Sequence, residues 1–159
     1  MTSMQSAVRR RRAVAAAGAV SAGLLLLSAC DKPTPRATIT VGDDSVSSEA
    51  SCFNEDDKTL STSERESCIK DTDIESIKVD PDETVRFGVD PEIADKGWTI
   101  LMNGRPLTES STKTYRTIPG SVFFNAQYGA SGNSTKVSVQ EGEDAKVTGL
   151  WNFTLKKDS

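Results

Sequence analysis

Three cysteines are the side chains whose type and position could do covalent chemistry in this chain. Cys30 closes a short apolar run and directly follows the small residues Ser28 and Ala29. Cys52 and Cys68 lie farther along, in a polar segment, and do not have the Cys-x-x-Cys spacing of redox pairs. The positions separate Cys30 from the other two cysteines, and they leave Cys52 and Cys68 as candidates for a disulfide.

Residues 1–29 have the three parts of an export signal. A positive region at Arg9–Arg12 precedes an apolar region at Ala13–Leu27, and Leu27-Ser28-Ala29-Cys30 resembles the lipobox of bacterial lipoprotein precursors. That resemblance implies a diacylglyceryl group on the Cys30 thiol and cleavage just before Cys30. The apolar run is shorter than the ~20 residues of a spanning helix. The alternatives are an uncleaved anchor and a plain secretory signal.

Export to an oxidising compartment favours a disulfide between Cys52 and Cys68. A bridge that closes a loop of this size contributes ~3 kcal/mol by constraining the unfolded chain. The alternative is a pair of free thiols or a redox couple.

The charge balance and the absence of histidine exclude several classes of function. Without residues 1–29 the chain has 15 basic and 23 acidic residues, a formal charge of −8. Nucleic-acid binding needs Lys and Arg to neutralise phosphates, so no nucleic-acid partner is expected. A chain without histidine has no Ser-His or Cys-His catalysis, no histidine zinc site and no blue-copper site. We therefore predict no catalytic residue, no cofactor, no metal ligand and no enzymatic activity.

Acidic stretches at 54–57, 71–75 and 80–83 could supply oxygen atoms to calcium. None of them has the Asp-rich loop, with Gly at position six and Glu at position twelve, that defines an EF-hand. Solvated acidic loops are the alternative interpretation.

The predicted organisation is a lipidated cysteine with a Pro-containing tether over 30–36, followed by one domain over 37–159. Overlapping capping boxes, Ser61 with Glu64 and Ser63 with Glu66, predict a short helix through Cys68. Alternation of apolar and polar residues predicts strands. These are expected at 37–41 and, from Ile74 onward, around 77–79, 84–89, 98–102, 113–118, 121–125, 137–139 and from about 147 to the end.

Seven or more short strands separated by turns predict a mainly β fold. We expect an antiparallel β-sandwich, immunoglobulin-like in general architecture, with one short helix in the disulfide-closed segment. An open barrel is the alternative. Asn103-Gly104 predicts a hairpin turn, and Trp98 and Trp151 are expected in the core because both continue apolar faces. The segments Pro91–Gly97 and Gln127–Asn133 are predicted to be loops, and for that reason they are the candidate functional surface.

Three stretches carry a resemblance to known proteins: ACDKPTP at 29–35, RFGVDPEIADKGW at 86–98 and YRTIPGS at 115–121. Through them the chain resembles a family of short, uncharacterised lipoproteins from actinomycete bacteria. The resemblance implies export, lipidation and a single extracytoplasmic domain on the outer face of the cytoplasmic membrane. It implies no activity, ligand or catalytic residue.

These expectations combine into one hypothesis about function. The chain is interpreted as a membrane-anchored, non-catalytic binding or interaction module of the cell envelope. Its partners would be the membrane, through lipid on Cys30, and an envelope protein or wall component. The alternative is a small-ligand or calcium-binding lipoprotein.

Overall fold

The computed structural model describes residues 32–143 and 145–159. The predicted signal segment and Cys30 lie outside the described residues. Residues 33–159 form one compact unit. No helix in the described ranges has the length and apolar character needed to cross a membrane.

The described residues form ten strands and two short α-helices, joined by turns and two 3-10 helices at Gly120–Phe124 and Ala126–Tyr128. In chain order the elements are β1 (Ala37–Val41), β2 (Asp44–Ser48), β3 (Cys52–Phe53), α1 (Thr62–Ile69), β4 (Glu75–Val79), β5 (Thr84–Val89), α2 (Pro91–Asp95), β6 (Trp98–Met102), β7 (Arg105–Pro106), β8 (Tyr115–Pro119), β9 (Ser134–Glu141) and β10 (Gly149–Lys157).

The strands form two sheets. The four-stranded sheet has the order β2-β1-β5-β8, and all of its neighbours are antiparallel. The six-stranded sheet has the order β3-β10-β9-β6-β7, with β4 paired in parallel beside the end of β10. The predicted mainly β fold, with one helix in the disulfide-closed segment, is confirmed.

The inner faces of the two sheets enclose the main core. Alternation buries Val85, Phe87 and Val89 on β5, as the period of a half-buried strand requires. Trp98 and Trp151 are both 0% exposed. Each indole Nε1–H donates a hydrogen bond, at 2.7 Å, to a backbone carbonyl, and this satisfies the polar atom that burial would otherwise leave unpaired.

The outer face of the six-stranded sheet is also covered, by a segment that the disulfide closes. Cys52 and Cys68 are bonded, with their Cα atoms 6.0 Å apart, and the predicted disulfide is confirmed. Helix α1 begins after Ser61, whose Oγ accepts from the Glu64 backbone N–H while the Ser61 N–H donates to Glu64 Oε2 at 2.7 Å. Hydrogen bonding of the Glu64 carboxyl group to the Ser61 side chain, and to the Ser61 backbone N–H, lowers the pKa of Glu64. We call residues 52–71 the outer cover.

A second, smaller apolar cluster lies under the outer cover. Its buried members come from the cover, from strands β6 and β10 and from the segment before β10: Leu60, Cys68, Leu101, Val147 and Leu150. The six-stranded sheet is therefore buried on both faces, whereas the four-stranded sheet keeps its outer face open.

Four details differ from the sequence-based expectations. Pro91–Asp95 is helix α2 rather than a loop, because Asp90 and Pro91 suit a helix start and Ile93 and Ala94 bury its inner side. Residues 120–124 form a 3-10 helix rather than a strand, and Phe123 is fully buried. Strands β2, β3 and β7 are additional.

The fourth difference concerns the predicted tether. The Pro35 carbonyl accepts the Trp151 hydrogen bond, and the Arg36 N–H donates to Asp90 Oδ2 at 2.8 Å. The Thr34 hydroxyl accepts from the Ala50 N–H at 2.9 Å. Residues 34–36 are therefore part of the domain, and its boundary moves from Ala37 to Pro33.

Candidate functional site

The open outer face of the four-stranded sheet, which we call the hydroxyl face, is the first candidate surface. Strand alternation turns every second side chain of β1, β2, β5 and β8 outward. The register aligns those side chains in two rows across the sheet. One row contains Ser47, Thr38, Gly88 and Tyr115, and the other contains Ser45, Thr40, Arg86 and Thr117. Neither row in these four fully described strands contains a carboxylate.

Hydroxyl groups on one half of this face are already ordered by their neighbours. Thr38 Oγ1 donates to Ser47 Oγ at 3.0 Å, and the hydroxyls of Thr40 and Ser45 are 3.1 Å apart. Hydroxyl oxygens have further lone pairs, so these groups can still accept hydrogen bonds from a ligand.

The face also contains a shallow depression around Gly88. It has a volume of about 520 Å³ and is lined by Thr38, Thr40, Arg86, Phe87, Gly88, Tyr115 and Thr117. Gly88 has no side chain, and Tyr115 lies directly across from it in the register. The Tyr115 side chain is 66% exposed. A glycine beside an exposed ring leaves the ring accessible to a flat ligand.

A second candidate is a cluster around Lys96, within the predicted segment Pro91–Gly97. The Lys96 ammonium is 2.7 Å from Asp57 Oδ1 and 3.3 Å from Glu141 Oε1, and it lies 5.7 Å from the centre of the Phe53 ring. Glu141 is fully buried, and the Thr148 hydroxyl donates to its Oε1. Within the described residues, Glu141 Oε2 has no hydrogen-bond partner.

The electrostatics of this cluster indicate a structural role. Burial lowers the pKa of the Lys96 ammonium, but the hydrogen bond to Asp57 and the charge of Glu141 outweigh it, so the pKa is raised. An ammonium that keeps its proton at neutral pH is neither a base nor a nucleophile. The ion pairs of Lys96 instead connect the end of α2 to the outer cover and to the end of β9.

The two segments predicted as one functional surface lie at opposite ends of β6. Gly97 immediately precedes Trp98, the first residue of that strand. Gly129, in the other segment, accepts a hydrogen bond through its carbonyl from the Asn103 amide, just beyond the last residue of the strand. The joint surface of Pro91–Gly97 and Gln127–Asn133 is therefore not formed.

The acidic stretches considered for calcium form local turns. Asp71 Oδ1 accepts from the Asp73 N–H at 3.1 Å, and Asp80 Oδ1 accepts from the Asp82 N–H at 2.9 Å. In the part of the chain that is described, no three Asp, Glu or Cys side chains approach closely enough to hold a metal ion.

Sequence patterns predicted three of the four strands of the hydroxyl face, β1, β5 and β8, but neither β2 nor the face itself. The alternation over 84–89 already placed Arg86 opposite the buried Val85 and Phe87. The approach of Tyr115 to Gly88 depends on the pairing of two distant strands, which no local pattern specifies.

No family model matches this chain, and no match was found among the curated proteins or the solved structures. The resemblance to actinomycete lipoproteins therefore stays a prediction that rests on the three stretches quoted above.

Proposed function

We propose that this chain is a lipid-anchored, extracytoplasmic and non-catalytic binding module, and that its hydroxyl face binds a polysaccharide of the cell envelope. Anchoring rests on the lipobox and Cys30. Two acyl chains give stable membrane attachment, at ~0.8 kcal/mol for each buried methylene.

The observation that carries the binding proposal is the open depression beside Tyr115. A sugar ring has apolar C–H faces that pack against an aromatic ring, and hydroxyl groups around its edge that hydrogen-bond to threonine and serine. The depression offers an exposed ring and threonine hydroxyls on one flat surface. Its composition fits a saccharide better than an apolar protein surface.

The remaining surface gives little support to a protein partner. A protein–protein site is commonly marked by a contiguous exposed apolar patch. Among the described residues, the large hydrophobic side chains with high exposure are Tyr115 and Tyr128, at 66% and 55%. A wall component is therefore favoured over an envelope protein.

The binding proposal is tested by sedimentation of the full-length protein, purified in detergent, with insoluble cell-wall material. We expect Tyr115→Ala to weaken co-sedimentation about tenfold, because truncation of a central aromatic contact typically costs more than 1 kcal/mol. Tyr128→Ala is the matched control, since it removes the other exposed tyrosine. Failure of the wild-type protein to sediment, or equal loss in both variants, would refute the proposal.

Anchoring is tested separately by fractionation of cells that produce the full chain. Cys30→Ser removes the lipid acceptor, so we expect the protein to leave the membrane fraction. A protein that stays in that fraction without Cys30 would show that another segment holds it.

A further inference from the structure

We propose that the polysaccharide recognised by the hydroxyl face is anionic, and that Arg86 binds a carboxylate or phosphate group on the sugar that contacts Tyr115. This inference rests on the proposed function and adds the chemical class of the ligand.

The position of Arg86 is the first argument. Gly88 is two residues farther along β5, so both positions face the same side, and Tyr115 is opposite Gly88. Arg86 and Tyr115 are therefore diagonal neighbours, and the Cα atoms of such neighbours on a sheet face are about 7–8 Å apart. One sugar ring with a charged substituent can extend over that distance, with the ring on Tyr115 and the charge on Arg86.

The second argument is that the Arg86 side chain has no hydrogen-bond or ion-pair partner among the described residues, whereas the side chains of two nearby arginines have such partners. Arg36 is 3.3 Å from Glu49 and donates to Ser47. Arg116 donates to Thr108 Oγ1 and to the Glu109 carbonyl. Arg86 has neither a side-chain hydrogen bond nor an ion pair with any described residue. The register places Arg86 between Thr40 and Thr117, and Arg86 is exposed, so its donors are available to a ligand.

Charge is the third argument. Residues 43–95 include 17 acidic and 5 basic side chains, yet the outward rows of the hydroxyl face contain none of those carboxylates. An anionic polymer would be repelled by the acidic parts of the protein surface and attracted to the hydroxyl face at Arg86. A guanidinium presents a planar pair of N–H donors that matches the two oxygens of a carboxylate or phosphate.

The test compares matched sugar probes by calorimetry on the full-length protein in detergent. The probes are a glucuronic acid oligomer, the same oligomer with its carboxyl groups reduced to alcohols, and a phosphorylated glucose oligomer. We expect one of the two anionic probes to bind at least tenfold more tightly than the reduced oligomer, and the preferred probe identifies the anion. We also expect that preference to fall with added salt.

Two variants test whether Arg86 is the residue that causes the preference for the anionic probe. Arg86→Gln should abolish the preference for the anionic probe and leave the reduced oligomer unaffected. Arg105→Gln, an exposed arginine on β7 of the other sheet, is the matched control and should change nothing. Thermal unfolding of each variant checks that the fold is intact.

Each other outcome contradicts a defined proposal. Equal binding of all three probes, or an unchanged preference in Arg86→Gln, overturns the anionic inference, and the wall-binding proposal survives if Tyr115→Ala still reduces sedimentation. Absence of binding to every probe overturns the anionic inference, and absence of wall sedimentation by the wild-type protein overturns the wall-binding proposal as well.

Discussion

The two faces of the six-stranded sheet are buried in different ways. The inner face contacts the other sheet through large apolar side chains, including Trp98, Trp151 and Phe153, all fully buried. The outer face is covered by residues 52–71, whose buried apolar members are few. The comparison shows that one sheet can be buried by hydrophobic area on one side and by covalent and polar connections on the other.

Polar contacts supply much of the attachment of the outer cover. The Asn152 amide donates to the Cys68 carbonyl at 2.8 Å, and Asn152 Oδ1 accepts from the Ser138 hydroxyl at 2.6 Å. The Lys136 ammonium donates to the carbonyls of Ile69 and Asp71. Helix α1 buries only Cys68, so its hydrophobic contribution is small.

Truncation in the inner core should have the largest effect on stability. Trp151→Ala leaves a cavity and an unpaired Pro35 carbonyl, so we expect the free energy of unfolding to fall by about 3–5 kcal/mol. Chemical denaturation measures the loss. A decrease below 1 kcal/mol would mean that the two sheets do not depend on this side chain.

Removal of the disulfide should have an intermediate effect that falls on the outer cover. For Cys52→Ala with Cys68→Ala we expect a loss of about 3 kcal/mol, because the bridge restricts the unfolded chain. Hydrogen exchange should accelerate in residues 62–69 and stay slow in β9 and β10. A reductant should destabilise the wild-type protein but leave the double variant unchanged. Equal acceleration in both regions would contradict the proposed difference between the faces.

Loss of the helix cap should have the smallest effect. Ser61→Ala removes the hydrogen bond to the Glu64 N–H, and we expect a cost of about 1 kcal/mol. The lowered pKa of Glu64 adds a pH dependence. Its stabilising contribution is present above the unfolded pKa and is lost as pH falls through the lower folded pKa. Denaturation at pH 7 and at acidic pH should show a smaller difference between wild type and Ser61→Ala in acid, whereas an equal difference would contradict this assignment.

Local patterns predicted the elements whose residues carry their own signal. Val85, Phe87 and Val89 alternate over β5, and Ser61 with Glu64 indicates the start of α1. Strand β2 has one apolar residue, Val46, among serines and an aspartate, so its structure comes from pairing with β1 rather than from propensity.

The candidate site was less predictable than the fold. Its key juxtaposition, Tyr115 across from Gly88, is a matter of register between strands far apart in the chain. The ion pairs of Lys96 with Asp57 and Glu141 likewise join three separate segments. In contrast, Asp90-Pro91 followed by the apolar Ile93 and Ala94 contained a helix-start signal that the loop interpretation overlooked.

The hydrogen bond between the Ala50 N–H and the Thr34 hydroxyl limits how far the domain can lie from the membrane. With lipid on Cys30, as proposed, four residue steps connect the lipid to Thr34, whose hydroxyl accepts a hydrogen bond from the Ala50 N–H of the domain. Four steps extend at most about 14 Å, and a domain of this size adds about 35 Å. The proteins and polymers available to this module are then those within about 50 Å of the bilayer surface. The hydrogen bond that attaches Thr34 to the domain would thereby confine the protein to the innermost layer of the envelope.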